Sequence, residues 1–182
     1  MLGLEQQREL LRLARCSIRA AAQQDEHISQ DIECDYPSGY GAFVSLHKAG
    51  HELRGCIGCL TSAIPLFQVV EKMAKSAALS DPRFAPVQPE EIAGITIEIS
   101  VLSPPVVVSN ESQLQIGLHG LVIELGNKRG VLLPQVATSF GWDIPTFIAQ
   151  TCHKANVSLA DYHAGHAKLL CFSAQVFSES SV

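Results

Sequence analysis

No apolar run in this 182-residue chain approaches membrane-spanning length, because Pro, Ser or Glu interrupts the longest candidates. Charge is also scarce, with only 17% of residues Asp, Glu, Lys or Arg. The 13 basic residues are spread along the chain against 18 acidic ones, for a formal net charge of -5. An acidic chain without a basic track lacks the footprint of a nucleic-acid binder. There is no Gly-x-Gly-x-x-Gly, P-loop, serine nucleophile elbow or His-Glu-x-x-His, so the standard nucleotide-dependent and metalloprotease signatures are excluded. The first nineteen residues carry Glu5, Arg8 and Glu9 where a signal peptide has its apolar centre. Six dispersed cysteines (Cys16, Cys34, Cys56, Cys59, Cys152 and Cys171) are therefore expected to be reduced thiols of a cytoplasmic protein.

What the chain does have is apolar residues, 47% of the total, in patterns that build a core. The expectation is one domain over residues 1–182, with an amphipathic helix ending near residue 22 and a polar loop over 23–40. Ala42 to Leu46 and Glu52 to Ile57 read as a hairpin around Lys48-Ala49-Gly50. Pro65 opens a helix whose inner face is Leu66, Val69, Val70, Met73 and Ala77. Ile95, Ile97, Ile99 and Val101 alternate with Thr96, Glu98 and Ser100, the pattern of a strand with one wet face. A second hairpin (Gly120 to Leu125, then Val131 to Leu133), a helix over about 144–155 and a strand over 169–177 repeat that order. Asp143 is the expected cap of the second helix, with Trp142 and Phe147 able to staple its start. The fold class is α+β: two related hairpin-helix-strand halves sharing one curved, largely antiparallel sheet.

Leu53-Arg54-Gly55-Cys56-Ile57-Gly58-Cys59 is the segment richest in chemistry. It places a guanidinium and a thiol on alternate residues of a strand, hence on one face, between two glycines that permit close approach. Arg54 could favour a thiolate at Cys56 or hold an anion, and a buried small hydrophobe is the bland alternative for Cys56. The Cys-x-x-Cys spacing raises a redox pair, but no helix begins directly after it. It also raises zinc, but His51, His163 and His166 do not complete a four-ligand set, and no metal is expected. His119, set between Gly117 and Gly120, is a candidate acid/base or a turn residue. Glu98 could orient a base, though a solvated face explains it as well. Arg83 could clamp an anionic substrate or pair with Asp81, and Lys154 suits a helix C-terminus.

Gly41-Ala42-Phe43-Val44-Ser45-Leu46 followed by Leu53-Arg54-Gly55-Cys56-Ile57-Gly58 resembles the signature of the AMMECR family. Further matching segments are Asp81-Pro82-Arg83-Phe84, Ile99 to Pro104, Gly117 to Leu121, Leu133 to Ala137 and Cys152-His153-Lys154-Ala155, covering residues 41–179. The resemblance implies a duplicated unit around one curved sheet. It also implies kinship with protein A of the AmmeMemoRadiSam system, and hence a radical SAM protein and a Memo-like protein as partners. It defines neither an activity nor a cofactor. Cys59 stands where the family often has Thr, so a dithiol mechanism would be particular to this chain.

Two functions follow as expectations. In the first, a cytosolic enzyme or enzyme component uses a cleft with Cys56 as nucleophile or substrate-holding thiol. There His119 is the acid/base, Arg54 the anion clamp, and Glu98 joins them, with Gly55, Gly58 and Arg83 on the binding side. In the second, a non-catalytic binding module or adaptor holds a peptide, a small anionic ligand or those two partners.

Overall fold

The computed structural model describes residues 1–25, 31–32 and 34–182. The part of the expected 23–40 loop at 26–30 and 33 lies outside them. In chain order the principal elements are α1 (Leu4–Gln23), β1 (Gly41–His47), β2 (Leu53–Cys59), α2 (Leu66–Leu79), β3 (Thr96–Leu102), β4 (Val106–Val107), β5 (His119–Leu125), β6 (Lys128–Leu132), α3 (Pro134–Phe140), α4 (Ile144–Lys154), α5 (Leu159–His163) and β7 (Lys168–Ser178). They form two compact units, Met1–Leu102 with Gln175–Val182 and Ser103–Ala174. The α+β expectation holds, with 39% of residues helical and 26% in strands. The long strand β7 contributes to both units, so the strand order reads β2-β1-β3-β7-β5-β6.

In the first unit β1 lies antiparallel between β2 and β3. Alternation sends Val44, Leu46, Ile97, Ile99 and Val101 to one face, where all are buried. The apolar faces of α1 and α2 complete that core with Leu10, Ala14, Ile18, Leu66, Val70 and Ala74. Gly55 makes the close approach of β2 to α2 feasible, because a Cβ there would sit 2.3 Å from the Ala77 carbonyl oxygen. At Gly58 the Phe43 ring fills the place of a side chain, 2.3 Å from where a Cβ would be. The expected turn after β1 is a short 3₁₀ segment, Ala49–His51.

The polar face of α1 has an unusual composition. Arg8, Arg12, Arg15 and Arg19 follow one another at spacings of four, three and four. Like charges at such spacings on a helix cost roughly 0.2–0.5 kcal/mol per pair. Arg15 is occupied, donating to the Ile92 and Ile95 carbonyls at 2.7 Å each and pairing with Glu179. Glu9, buried on another side of the helix, accepts the Tyr36 hydroxyl at 2.7 Å and so ties the helix to the chain ahead of β1.

The second unit has its own core. Leu121, Ile123, Leu132 and Leu169 of the strands meet Ala137 of α3 and Phe147, Ile148 and Cys152 of α4. β5 pairs with β6 on one side and with β7 on the other, both antiparallel. Asp143 caps α4 as expected, its carboxylate accepting the Thr146 N–H at 2.9 Å. Trp142 and Phe147 staple the entry with ring centroids 6.4 Å apart. In this unit the order is hairpin, three helices, strand, and α3 and α5 are short helices that the periodicity did not announce.

Candidate functional site

Cys56 is set by the edge of a sheet. β2 has β1 on one side only, so every second residue turns its N–H and C=O outward. At Cys56 both outward groups are captured by the Asp81-Pro82-Arg83 connector after α2. The Cys56 N–H donates to Asp81 Oδ2 at 2.8 Å, and Arg83 Nη2 donates to the Cys56 carbonyl at 3.1 Å. Because those groups point away from β1, the Ser45–Cys56 pair is of the non-hydrogen-bonded kind, in which side chains approach most closely. The Ser45 hydroxyl accordingly donates to Cys56 Sγ at 3.2 Å. On the other side of β1, Ser45 stands opposite Glu98. Cys56, Ser45 and Glu98 thus form a row across three strands on the face away from the helices, all three partly exposed.

The connector is itself tightly held. Asp81 is buried and accepts from the Arg83 backbone N–H at 3.1 Å, from Arg83 Nε at 3.0 Å and from Arg83 Nη2 at 2.7 Å. The Arg83 guanidinium, with the two backbone N–H donors, holds the Asp81 carboxyl well below the ordinary carboxylate range. Arg83 is raised in turn, chiefly by Asp81, with a smaller contribution from the Cys56 thiol beside it. A second pair lies alongside. Arg54 is buried and donates through Nε and Nη2 to the two Glu91 oxygens at 2.9 and 3.0 Å. That bond, helped by the Gln88 N–H, lowers Glu91 from 4.5 to about 2. The Phe84 ring lies between the two guanidinium groups, 6.0 Å from Arg54 Cζ and 5.4 Å from Arg83 Cζ. Lys48, Arg54, Arg83, Phe84 and Glu91 are among the residues that line a surface groove of about 470 Å³.

Of the residues singled out in the sequence, the first unit brings together Cys56, Glu98, Arg54 and Arg83, with Gly55 and Gly58 beside them on β2. Arg54 faces Glu91, while the guanidinium next to the thiol is that of Arg83. Cys59, three positions beyond Cys56 on the same strand, faces the other way and packs against the apolar core. Cys56, Cys59, Cys152 and Cys171 are free thiols. Among the described residues, no group of three or more His, Cys, Asp or Glu side chains is arranged to hold a metal ion.

His119 begins β5 in the second unit. The Gln115 N–H donates to its Nδ1 at 3.1 Å, so the neutral ring carries its proton on Nε2.

The expected Arg83–Asp81 pair is present, but the bond from the Cys56 N–H to Asp81 was not foreseen, nor was a place for His47. His47 lies two residues past Ser45 on the same face, with Nδ1 3.4 Å from the His51 carbonyl and a buried Nε2 that has no partner among the described residues. The alternation of β1 was the available signal for His47.

The AMMECR1 family model matches residues 11–177 of the chain. The chain belongs to the AMMECR1 family. A protein of Methanothermobacter thermautotrophicus is 38% identical over 98% of this chain and 96% of its own length. Protein MJ0810 of Methanocaldococcus jannaschii is 41% identical over 76% of this chain and 73% of its own. The crystal structure of the uncharacterized protein PH0010 from Pyrococcus horikoshii superposes with a TM-score of 0.78 at 34% identity, covering 94% of this chain and 90% of that one. In this AMMECR1 chain the signature cysteine is thus a half-exposed thiol with a hydroxyl donor, a cation and a carboxylate in its row or at its edge. Among the described residues no helix is long and apolar enough to cross a membrane.

Proposed function

We propose that this AMMECR1 chain is a thiol-dependent enzyme, or the thiol-bearing component of one, with Cys56 as its nucleophile or substrate-holding group. The observation that carries the proposal is the fixing of Cys56 at three points. Its N–H is bound by Asp81, its carbonyl by Arg83 and its Sγ by the Ser45 hydroxyl. The bond from Ser45 to Sγ is the one a cysteine serving only as packing does not need, and the two backbone bonds fix the strand edge that presents the thiol. Arg83 supplies the cation that the sequence had assigned to Arg54. Arg54 with Glu91 builds the wall of the groove. Glu98, one strand beyond Ser45 in the same row, is the candidate carboxylate, and His119 is the candidate acid/base group of the second unit. The family resemblance supplies the context: a cytoplasmic step shared with a radical SAM protein and a Memo-like protein.

The test is labelling of the native protein with one equivalent of iodoacetamide, followed by peptide mapping. The expected result is modification concentrated at Cys56 and absent from that peptide in Cys56→Ser. Label spread over the partly exposed cysteines in proportion to exposure would instead support an adaptor without thiol chemistry.

A further inference from the structure

The basic residues that look scattered along the chain are gathered by α1. At 100° per residue, Arg8, Arg12, Arg15 and Arg19 fall within an arc of about 60° and span about 16 Å of helix. The buried residues Leu10, Leu13, Ala14, Ser17 and Ile18 lie on the opposite side. With Arg15 occupied, Arg8, Arg12 and Arg19 stand exposed, and none of them enters a salt bridge among the described residues. A helix face that only needs to be wet normally intersperses Glu with Arg or Lys, but from Arg8 to Arg19 this ridge carries no acid. A hollow of about 410 Å³ lined by Arg15, Arg19, Gln23, Pro89, Ile92 and Ala93 opens beside its C-terminal end.

We propose that Arg8, Arg12 and Arg19 form a docking ridge for an acidic α-helical segment of a partner protein. The spacing selects the occupant. A helix with carboxylates at intervals of four and seven places one beside each of the three arginines, and the guanidinium fork matches a carboxylate bidentately. The hollow receives a side chain next to the last pair. Other polyanions fit less well. The chain carries a net charge of -5, which repels an extended nucleic acid, and three free cations make a short track for one. A membrane surface would need the apolar face of α1, which is buried in the core. A second copy of the chain is no match, since none of its described helices carries three carboxylates at that spacing.

The experiment uses the full chain and two fluorescein-labelled helical peptides of identical composition. One carries Glu at the four-seven spacing and the other has the same Glu residues distributed around the helix. Fluorescence anisotropy in about 50 mM NaCl should give at least ~10-fold tighter binding of the first peptide. The preference should vanish in Arg8→Gln/Arg12→Gln/Arg19→Gln, whose thermal midpoint stays at or above that of the wild type. Arg12→Gln alone should lose part of it, which keeps the test sound if the triple variant folds poorly. Equal binding of the two peptides, or an undiminished preference in the variants, overturns the proposal. So does displacement of the peptide by a single-stranded RNA or a phosphatidylserine vesicle at lower concentration than by unlabelled peptide.

Discussion

Gly55→Ala is expected to lower the thermal midpoint by on the order of 10 °C, corresponding to about 3 kcal/mol for a chain of this size. The methyl group would lie 2.3 Å from the Ala77 carbonyl oxygen, which is helix backbone and cannot rotate away. Relief requires β2 and α2 to separate, which loosens the packing of Val70, Met73, Ala74 and Ala77 and shifts Cys56 next door. Gly94→Ala is the control. A Cβ there meets nothing within 4 Å, so the midpoint should stay within about 1 °C. Differential scanning calorimetry of both variants checks the pair of expectations. A Gly55→Ala midpoint equal to that of Gly94→Ala would mean that the close approach of β2 to α2 is not tight.

Asp81→Ala is expected to cost about 3 kcal/mol at pH 7. It orphans the outward N–H of Cys56 and leaves the Arg83 guanidinium without its carboxylate. The pH dependence separates this from simple loss of packing. Asp81 and Glu91 both have folded-state values below their unfolded ones, so each contributes stability that is complete above its unfolded range and is lost as pH falls toward its folded value. For Glu91 the loss runs from about pH 4.5 down to about 2. For Asp81 it begins near its unfolded value of about 3.9 and extends below that of Glu91. The wild type should therefore lose its advantage over Asp81→Asn steadily as the solution is acidified below pH 4. Urea titrations at pH 7, 4 and 2.5 measure this, and a stability gap that stays constant over those three values would contradict it.

Much of the fold was legible because it rests on local periodicity. Ile97, Ile99 and Val101 announced β3, Leu66 to Ala77 announced α2, and Asp143 with Trp142 and Phe147 announced the start of α4. What was not legible has a common physical cause. α3 spans seven residues and α5 five, too few turns for a repeating apolar face, and β4 is a two-residue bridge. In the site, alternation put Glu98 on the wet face and Cys56 on one face with Arg54, and the connector's own residues offered Asp81 as the partner of Arg83. Sequence order could not reveal that Asp81 reaches back 25 positions to the Cys56 N–H, or that Arg54 meets Glu91 37 positions on. Those bonds decide which arginine stands beside the thiol. The arginine ridge is the opposite case. Positions 8, 12, 15 and 19 were visible from the start, but charge counted along the chain hides what charge counted around a helix shows.

The central claim is that its neighbours set Cys56 apart chemically from the other five cysteines. The most direct measurement is the second-order rate of iodoacetamide alkylation at each cysteine of the native protein at pH 7.5, resolved by mass spectrometry, in the wild type and in Arg83→Gln and Ser45→Ala. Cys56 should react fastest, and slow by about 3- to 10-fold in Arg83→Gln as the sulfur loses its neighbouring cation. The decrease should be smaller in Ser45→Ala, with the rates at Cys16 and Cys34 unchanged in both. A Cys56 rate no greater than those of Cys16 and Cys34, or one indifferent to Arg83, would contradict it.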